Sequence, residues 1–178
     1  MRIVFDLDGT LADGTHREHF ITGETKDWDA YFAACDGDRA LPGLLALHAL
    51  YYAPNHNAHT ARSARAHRIE IWSGRGEGPG GVNHEKTRRW LLDRVHVGIW
   101  DEPRAEFFNV SSFHENRIAI RMRGHGDHTP DHELKRRWLI EASEAGAPPE
   151  LVFDDRNRVV AMWRDEGIPC FQVAPGDF

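Results

Sequence analysis

Cysteine is scarce in this chain, which has only Cys35 and Cys170 among its 178 residues. The two cysteines lie far apart, and no Cys-x-x-Cys pair of the kind that holds structural zinc occurs. No apolar run approaches the length of a membrane span, and the first apolar segment begins at residue 3. We therefore expect free thiols, no signal peptide, no association with a membrane and a cytoplasmic location.

An excess of positive charge is also lacking, because the formal net charge is -6 at pH 7. Nonspecific binding of nucleic acid depends mainly on Lys and Arg neutralising phosphates, so this composition disfavours a generic polyanion-binding surface. It leaves open a small anionic substrate in a locally positive pocket. With 40% hydrophobic residues, the chain is long enough for one well-buried domain and short for two. We expect a single domain over residues 1–178.

The sequence contains no Gly-x-x-x-x-Gly-Lys-Ser/Thr motif. That motif forms the phosphate-binding loop of many kinases and ATPases. Its absence argues against nucleotide-driven chemistry of this kind, and we expect no P-loop kinase domain in this chain.

The most informative stretch lies near the start of the chain. Residues 3–5 are apolar β-formers and predict a buried strand, which Asp6, Asp8 and Gly9 follow. Two carboxylates this close would repel each other unless a cation lay between them, and Mg²⁺ is the simplest oxygen-seeking cation. A polar turn is the alternative reading, because Asp-Gly is ordinary turn chemistry.

Predicted strands and helices alternate along the rest of the chain. We predict helices at 42–52, at 84–95, from residue 130 and at 159–166, and strands at 69–72, 117–123, 151–153 and 170–173. Polar clusters fall just after several of these strands, as Ser73 and the pair Asp154 and Asp155 do. This order is typical of a doubly wound, Rossmann-like parallel sheet flanked by helices, with one site at its carboxyl edge.

Four groups of polar residues converge in that arrangement. They are Asp6 with Asp8, Ser73, Lys135, and Asp154 with Asp155. Carboxylates, a hydroxyl and an ammonium together suit a metal-assisted phosphoryl-transfer site. Gly74 after Ser73 would let backbone N–H groups approach an anion closely.

Two other segments leave alternatives open. Residues 13–38 place Trp28, Tyr31 and Phe32 on one helical face, which is either a lid over the site or a helix packed on the sheet. In the strand at 117–123 the face carrying Arg123 is either a salt-bridged edge or faces substrate. We expect a solvated connector at 55–67 and an irregular partial cover at 98–116, so any cap is small.

Several of these motifs resemble those of a known superfamily. In chain order, the segment Asp6 to Thr10, Ser73, Lys135 and the Asp154-Asp155 pair resemble the four motifs of the haloacid dehalogenase (HAD) superfamily over essentially the whole chain. Further segments are similar to the phosphatase domain of bacteriophage polynucleotide kinase/phosphatases. They are residues 73–75, residues 126–135, residues 153–164 and the ending at 170–178.

The resemblance implies roles for individual residues. Asp6 would be the nucleophile, and Asp8 would be the general acid and base. Mg²⁺ would be held by Asp6, the backbone carbonyl of Asp8, and Asp154, with Asp155 binding through water or orienting Lys135. Other residues would order the loop or bind phosphate and substrate, namely Thr10, Ser73, Gly74, Arg75, Lys135 and Arg123.

The resemblance also implies a substrate, a 3'-phosphate on a nucleotide or a nucleic-acid 3' end. One departure weakens that implication, because the phage domain has an Arg where this chain has His128-Thr129-Pro130. The negative net charge of the chain favours a second hypothesis, a phosphatase of free 5'-(deoxy)nucleotides or other small phosphomonoesters. A third is a non-catalytic phosphate-binding protein, which would have no use for Asp8. The sequence leaves the oligomeric state open.

Overall fold

A computed structural model describes residues 1–52, 67–97 and 118–176, without the side chains of residues 51, 52 and 95–97. The predicted connector at 55–67 lies almost entirely outside the described residues, and the segment at 98–116 lies wholly outside them. The strands are β1 (Arg2–Phe5), β2 (Ala12–Asp13), β3 (Arg39–Ala40), β4 (Arg68–Gly76), β5 (Ile118–Arg123), β6 (Leu151–Arg156) and β7 (Cys170–Gly176).

The helices connect the strands as the sequence pattern predicts. They are α1 (Trp28–Ala33), α2 (Gly43–Tyr52), α3 (Val82–Val97), α4 (Asp131–Glu144) and α5 (Asn157–Asp165), with short 3-10 turns at Thr15–Phe20, Cys35–Gly37 and Pro79–Gly81. No helix among the described residues is long and apolar enough to cross a membrane.

Five strands form one parallel sheet in the order β5-β4-β1-β6-β7. Side chains alternate between its faces because successive residues of a strand point to opposite sides. On β1, Ile3 and Phe5 pack in a core with Leu44 of α2 and Trp90 of α3. Val4 packs in a second core on the opposite face, formed with residues of α4 and α5. Helices thus cover both faces, and the predicted doubly wound α/β fold is confirmed.

Three strands run further than predicted, and two of them, β4 and β6, carry expected site residues. Ser73, Gly74 and Arg75 were expected after a strand that ends at residue 72, but β4 continues to Gly76, which pairs with Arg123 across an irregularity in the register. In the same way β6 continues through Asp154 and Asp155 to Arg156. Ser73 and Gly76 pair with β5, and Asp154 and Arg156 pair with β7, while side chains bond backbone groups in between, as the Ser73 hydroxyl does with the N–H of Arg75. Polar composition alone therefore misplaced the strand ends.

The segment between β1 and α2 makes an excursion from the sheet. Strands β2 and β3 close it at its base by antiparallel pairing of Ala12 with Ala40 and Asp13 with Arg39. Helix α1 lies within this excursion and has no fully buried residue. It belongs to neither core, so it is not the sheet-packed helix that was the alternative reading. That the excursion acts as a cap stays a prediction.

Candidate active site

Three carboxylates meet where β1 and β6 lie side by side at the carboxyl edge of the sheet. Phe5 pairs with Phe153, so Asp6 follows β1 at the level where Asp154 and Asp155 lie in β6. An oxygen of each carboxylate lies within 4.8 Å of an oxygen of the other two. All three residues are buried. We refer to Asp6, Asp154 and Asp155 as the carboxylate cluster.

Among the residues that the structure describes, one ammonium group contacts this cluster. Lys135, in the first turns of α4, donates hydrogen bonds from Nζ to Asp6 Oδ1 at 2.6 Å and to Asp154 Oδ2 at 2.8 Å. Burial would lower the pKa of Lys135, but Asp154 and Asp6 outweigh that effect and raise it above its usual value. The lysine is therefore charged, and one positive charge faces three carboxylates.

Burial and the excess negative charge of the cluster both raise the pKa values of Asp6 and Asp155. Burial raises the pKa of Asp6 well above its usual value, and Asp154 and Asp155 raise it further against the opposing effect of Lys135. Burial and the charge of Asp154 raise the pKa of Asp155 to about 6. A bound cation would relieve this repulsion, and carboxylate oxygens are the donors that Mg²⁺ prefers. The cluster therefore fits a hard divalent cation.

The turn after β1 brings the backbone close to this cluster. The N–H groups of Leu11 and Ala12 both donate to the carbonyl of Leu7, at 2.8 and 2.9 Å. Gly9 has φ of 81°, in the left-handed region that favours glycine. A Cβ atom at Gly9 would also clash with the carboxylate of Asp155. Glycine at position 9 is thus favoured by close approach to β6 as well as by the turn.

Asp8 turns away from the carboxylate cluster and contacts two arginines. Its Oδ1 accepts from Arg17 Nη2 at 2.6 Å and from Arg75 Nη2 at 2.5 Å. Both arginines also contact Asp38, which accepts from Arg17 Nε at 2.7 Å and from Arg75 Nη2 at 2.6 Å. We refer to Asp8, Asp38, Arg17 and Arg75 as the arginine cluster. It balances two carboxylates against two guanidinium groups.

Neighbouring groups fix the arginine cluster in place. Arg75 donates to Thr87 Oγ1 at 3.1 Å, and the carbonyl of Asp38 accepts from the indole of Trp90 at 2.8 Å. The guanidinium of Arg17 lies over the ring of Tyr31, 4.0 Å from its centroid. Burial would raise the pKa of Asp8, but Arg75 and Arg17 outweigh it and hold that pKa below its usual value. Asp8 is therefore ionised in this arrangement.

The residues expected to bind phosphate lie at the same edge. Ser73 is buried, and its hydroxyl accepts from the backbone N–H of Arg75 at 3.1 Å. Thr10 is buried too, and its hydroxyl has no hydrogen-bond partner among the described residues. Arg75 was expected to reach a phosphate, yet its guanidinium is enclosed by the arginine cluster.

Arg123 contacts protein groups at the end of β4. It donates from Nε to the carbonyl of Gly74 at 2.7 Å, and it forms an ion pair with Asp131. Asp131 also pairs with Arg156, and a Cβ atom at Gly74 would clash with the Asp131 carboxylate. These contacts tie β4 to the start of α4, which carries Lys135. The substrate-facing alternative for Arg123 stays a prediction.

Sequence reasoning missed three charged residues of this region. Asp131 lies four residues before Lys135 at the start of α4, and that spacing on one helical face was a visible signal. Arg17 and Asp38 had no such signal. They meet across 21 residues of the excursion, and both are almost completely buried.

Residues 51–178 match the model of a protein family, the phosphatase domain of polynucleotide kinase PNKP. The chain belongs to this family. It is a HAD-type phosphatase, an enzyme that hydrolyses phosphomonoesters. The matched range includes Ser73, Lys135 and the Asp154-Asp155 pair, while Asp6 and Asp8 precede it. The position of Asp6 beside these residues is a result of the fold described above.

Two solved structures resemble this phosphatase in fold. One is described as the structure of the Pnkp1/Rnl/Hen1 RNA repair complex and is 23% identical over 99% of this chain, with a TM-score of 0.61. The other, of the Pnkp1/Rnl/Hen1 complex, is 24% identical over 99% of this chain, with a TM-score of 0.62. The phosphatase spans 43% and 46% of those chains, less than half of each.

Proposed function

We propose that this phosphatase is Mg²⁺-dependent, acts through an aspartyl-phosphate and removes 3'-phosphates from nucleotides or polynucleotide ends. The carboxylate cluster is the observation that supports both the metal dependence and the reaction chemistry. Asp6, Asp154 and Asp155 lie within 4.8 Å of one another, and the ammonium group of Lys135 donates hydrogen bonds to Asp6 and Asp154. A cluster with surplus negative charge cannot receive a phosphate dianion unless a cation accompanies it.

Asp6 is the nucleophile in this proposal. A carboxylate oxygen of Asp6 attacks phosphorus, and the bond from phosphorus to the leaving alcohol oxygen breaks. Water then attacks the phosphorus of the aspartyl-phosphate, which releases inorganic phosphate and restores Asp6. Asp6, Asp154 and Asp155 would hold Mg²⁺, which would neutralise charge on the phosphoryl oxygens. Lys135 holds Asp6 in position through the contact at 2.6 Å.

Asp8 moves the protons in both steps. It donates a proton to the leaving alcohol in the first step and takes one from the attacking water in the second. Two arginines hold Asp8 ionised, which suits the second step. For the first step its contacts with Arg17 and Arg75 must weaken. An incoming phosphate dianion offers both guanidinium groups another partner, so substrate binding itself would free Asp8 to take up a proton from solvent, and this proton is the one that it donates to the leaving alcohol.

The family and the two similar structures support a nucleic-acid substrate. The family is named for a polynucleotide kinase, and both structures contain Pnkp1, one of them as part of an RNA repair complex. The net charge of -6 favours the second candidate, a phosphatase of free 5'-(deoxy)nucleotides or other small phosphomonoesters. Both candidates use the same chemistry and differ in the leaving group.

A panel of phosphomonoesters tests this proposal. The wild-type protein would be assayed with Mg²⁺ on nucleosides and oligonucleotides phosphorylated at the 3' or at the 5' position. We expect higher kcat/KM for the 3'-phosphates and loss of activity in excess EDTA that added Mg²⁺ restores. Preference for 5'-phosphates would reassign the substrate, and full activity in EDTA would exclude the metal. In the same assay, the variant Asp6→Asn tests the nucleophile. Its matched control is Asp165→Asn, a change at an exposed carboxylate of α5.

A further inference from the structure

Aromatic side chains of α1 lie beside the arginine cluster. The ring of Tyr31 is 4.0 Å from the guanidinium carbon of Arg17, which in turn donates to Asp8. Trp28 contacts the same tyrosine, with ring centroids 5.7 Å apart and the rings nearly perpendicular. Two contacts therefore connect Trp28 to the arginine that holds Asp8.

Trp28 is supported on one side and open on the other. Its ring stacks on Phe32 with centroids 5.9 Å apart and an angle of 28° between the planes. Phe32 itself lies next to Gly76, at the carboxyl end of β4. Despite these contacts, 47% of the surface of Trp28 is exposed. An aromatic ring held in position by its neighbours can bind another flat ring with little loss of side-chain freedom.

A cation accompanies the exposed indole. Nζ of Lys26 lies 5.8 Å from the centroid of the Trp28 ring. An aromatic face beside a positive charge suits the two features that every nucleotide has, a flat base and a phosphate. This pairing of Trp28 and Lys26 lies on the side of the site where the arginine cluster is found.

We propose that Trp28 stacks on the base of the nucleotide that carries the scissile phosphate, with Lys26 beside it, and thereby selects nucleotides over other phosphomonoesters. The inference rests on the proposed function, since it concerns the substrate of the same site. Stacking is tolerant of base identity because every base has an aromatic face. Trp28 therefore recognises a nucleoside rather than a particular base.

The test measures binding without turnover. In the Asp6→Asn background, affinities are measured by fluorescence anisotropy for 5'-fluorescein oligonucleotides that end in a 3'-phosphate. One oligonucleotide has a normal terminal nucleotide, and the other has an abasic tetrahydrofuran residue there, so sugar and charge are matched. Trp28→Ala should weaken binding of the normal end about 5- to 150-fold, the usual range for one stacked base. It should change binding of the abasic end less than about twofold, and Trp28→Phe should retain part of the difference.

Phe171→Ala is the control variant, because Phe171 is an aromatic residue with 60% of its surface exposed on β7 and stacks on Phe153 instead. It should leave both affinities unchanged. The proposal is overturned if Trp28→Ala weakens both ends equally, or if the wild-type tryptophan gives no preference for the normal end over the abasic end. Failure of the proposed function is a separate result, since it would appear as absence of 3'-phosphate hydrolysis by the wild-type protein.

Discussion

The carboxylate cluster and the arginine cluster lie at the same edge of the sheet, yet they differ in charge balance. In the first, Asp6, Asp154 and Asp155 lie within 4.8 Å of one another, and the ammonium of Lys135 contacts Asp6 and Asp154. In the second, Asp8 and Asp38 face two arginines. Asp6 and Asp155 have raised pKa values, mainly through burial, whereas the pKa of Asp8 is lowered by Arg75 and Arg17 in spite of its burial.

This difference assigns different tasks to the two clusters. The carboxylate cluster has more carboxylates than positive charges and is therefore suited to accept a cation. The arginine cluster is complete without a ligand, so it stabilises the fold until a phosphate competes for its guanidinium groups. Asp6 and Asp8 are separated only by Leu7, yet they lie in different electrostatic surroundings. Mutations that remove one carboxylate from each cluster should have different consequences.

The largest effect is expected for Asp6→Asn. Removal of a covalent nucleophile removes the reaction pathway, so turnover should fall by many orders of magnitude. Stability should be kept or should rise, because the change relieves repulsion with Asp154 and Asp155. Steady-state kinetics and thermal unfolding would be compared with Asp165→Asn. Activity near that of the wild type would place the nucleophile elsewhere.

The next effect is expected for Asp8→Asn. Turnover should fall by about 10² to 10⁴, the usual contribution of a positioned proton donor. The loss should be smaller for p-nitrophenyl phosphate than for a nucleotide, since a good leaving group needs little protonation. Single-turnover rates on both substrates provide the measurement. Equal losses on the two substrates would count against Asp8 as the acid. Loss of Mg²⁺ binding by this variant would also count against that role, because a metal contact through the backbone carbonyl of residue 8 should survive the change.

The sheet could be predicted from the sequence because each strand has a local pattern of apolar residues. The apolar run at Ile3 to Phe5 and the run that precedes Asp154 need no knowledge of the rest of the chain to be read as buried strands. Where the strands end could not be read in this way. Ser73 and Arg75 look like loop residues, and it is the pairing of Ser73 and Gly76 with β5 that extends β4 past them.

The two clusters were predictable to different extents for a similar reason. The carboxylate cluster follows from topology, because the carboxyl ends of neighbouring parallel strands meet at one edge. Resemblance to known motifs was still needed to propose which carboxylate attacks phosphorus. The arginine cluster depends on how the irregular excursion folds back, and that brings Arg17 and Asp38 together without any sequence periodicity. Such long-range pairing of irregular segments leaves no local pattern.

Asp38→Asn tests the structural task of the arginine cluster. Asp38 is almost completely buried and accepts hydrogen bonds from Arg17 and Arg75, so the variant leaves two guanidinium groups with one carboxylate. Loss of one partner of a buried ion pair typically costs about 3 to 5 kcal/mol. Urea denaturation would measure the free energy of unfolding beside that of Asp165→Asn. A cost below about 1 kcal/mol would mean that the cluster does not hold the excursion in place.

The smallest effect is expected for Asp155→Asn, measured as a function of pH in EDTA. The pKa of Asp155 is raised to about 6 in the folded protein from its usual value of 3.8. Between these pH values the folded state binds more protons than the unfolded state at this residue, so its contribution to stability falls as pH rises. Asparagine does not ionise and escapes that loss.

The free energy of unfolding of Asp155→Asn relative to wild type should therefore increase from pH 4 to pH 7, with a slope of at most about 1.4 kcal/mol per pH unit. Asp8 and Glu70, whose pKa values are lowered by arginine partners in spite of burial, give the opposite slope in both proteins and cancel in the difference. Added Mg²⁺ should stabilise the wild type more than the variant, because a ligand of the folded state is lost. A difference that stays constant across this pH range would show that the pKa of Asp155 is not raised in the folded protein, and the contrast between the two clusters would then rest on Asp6 alone.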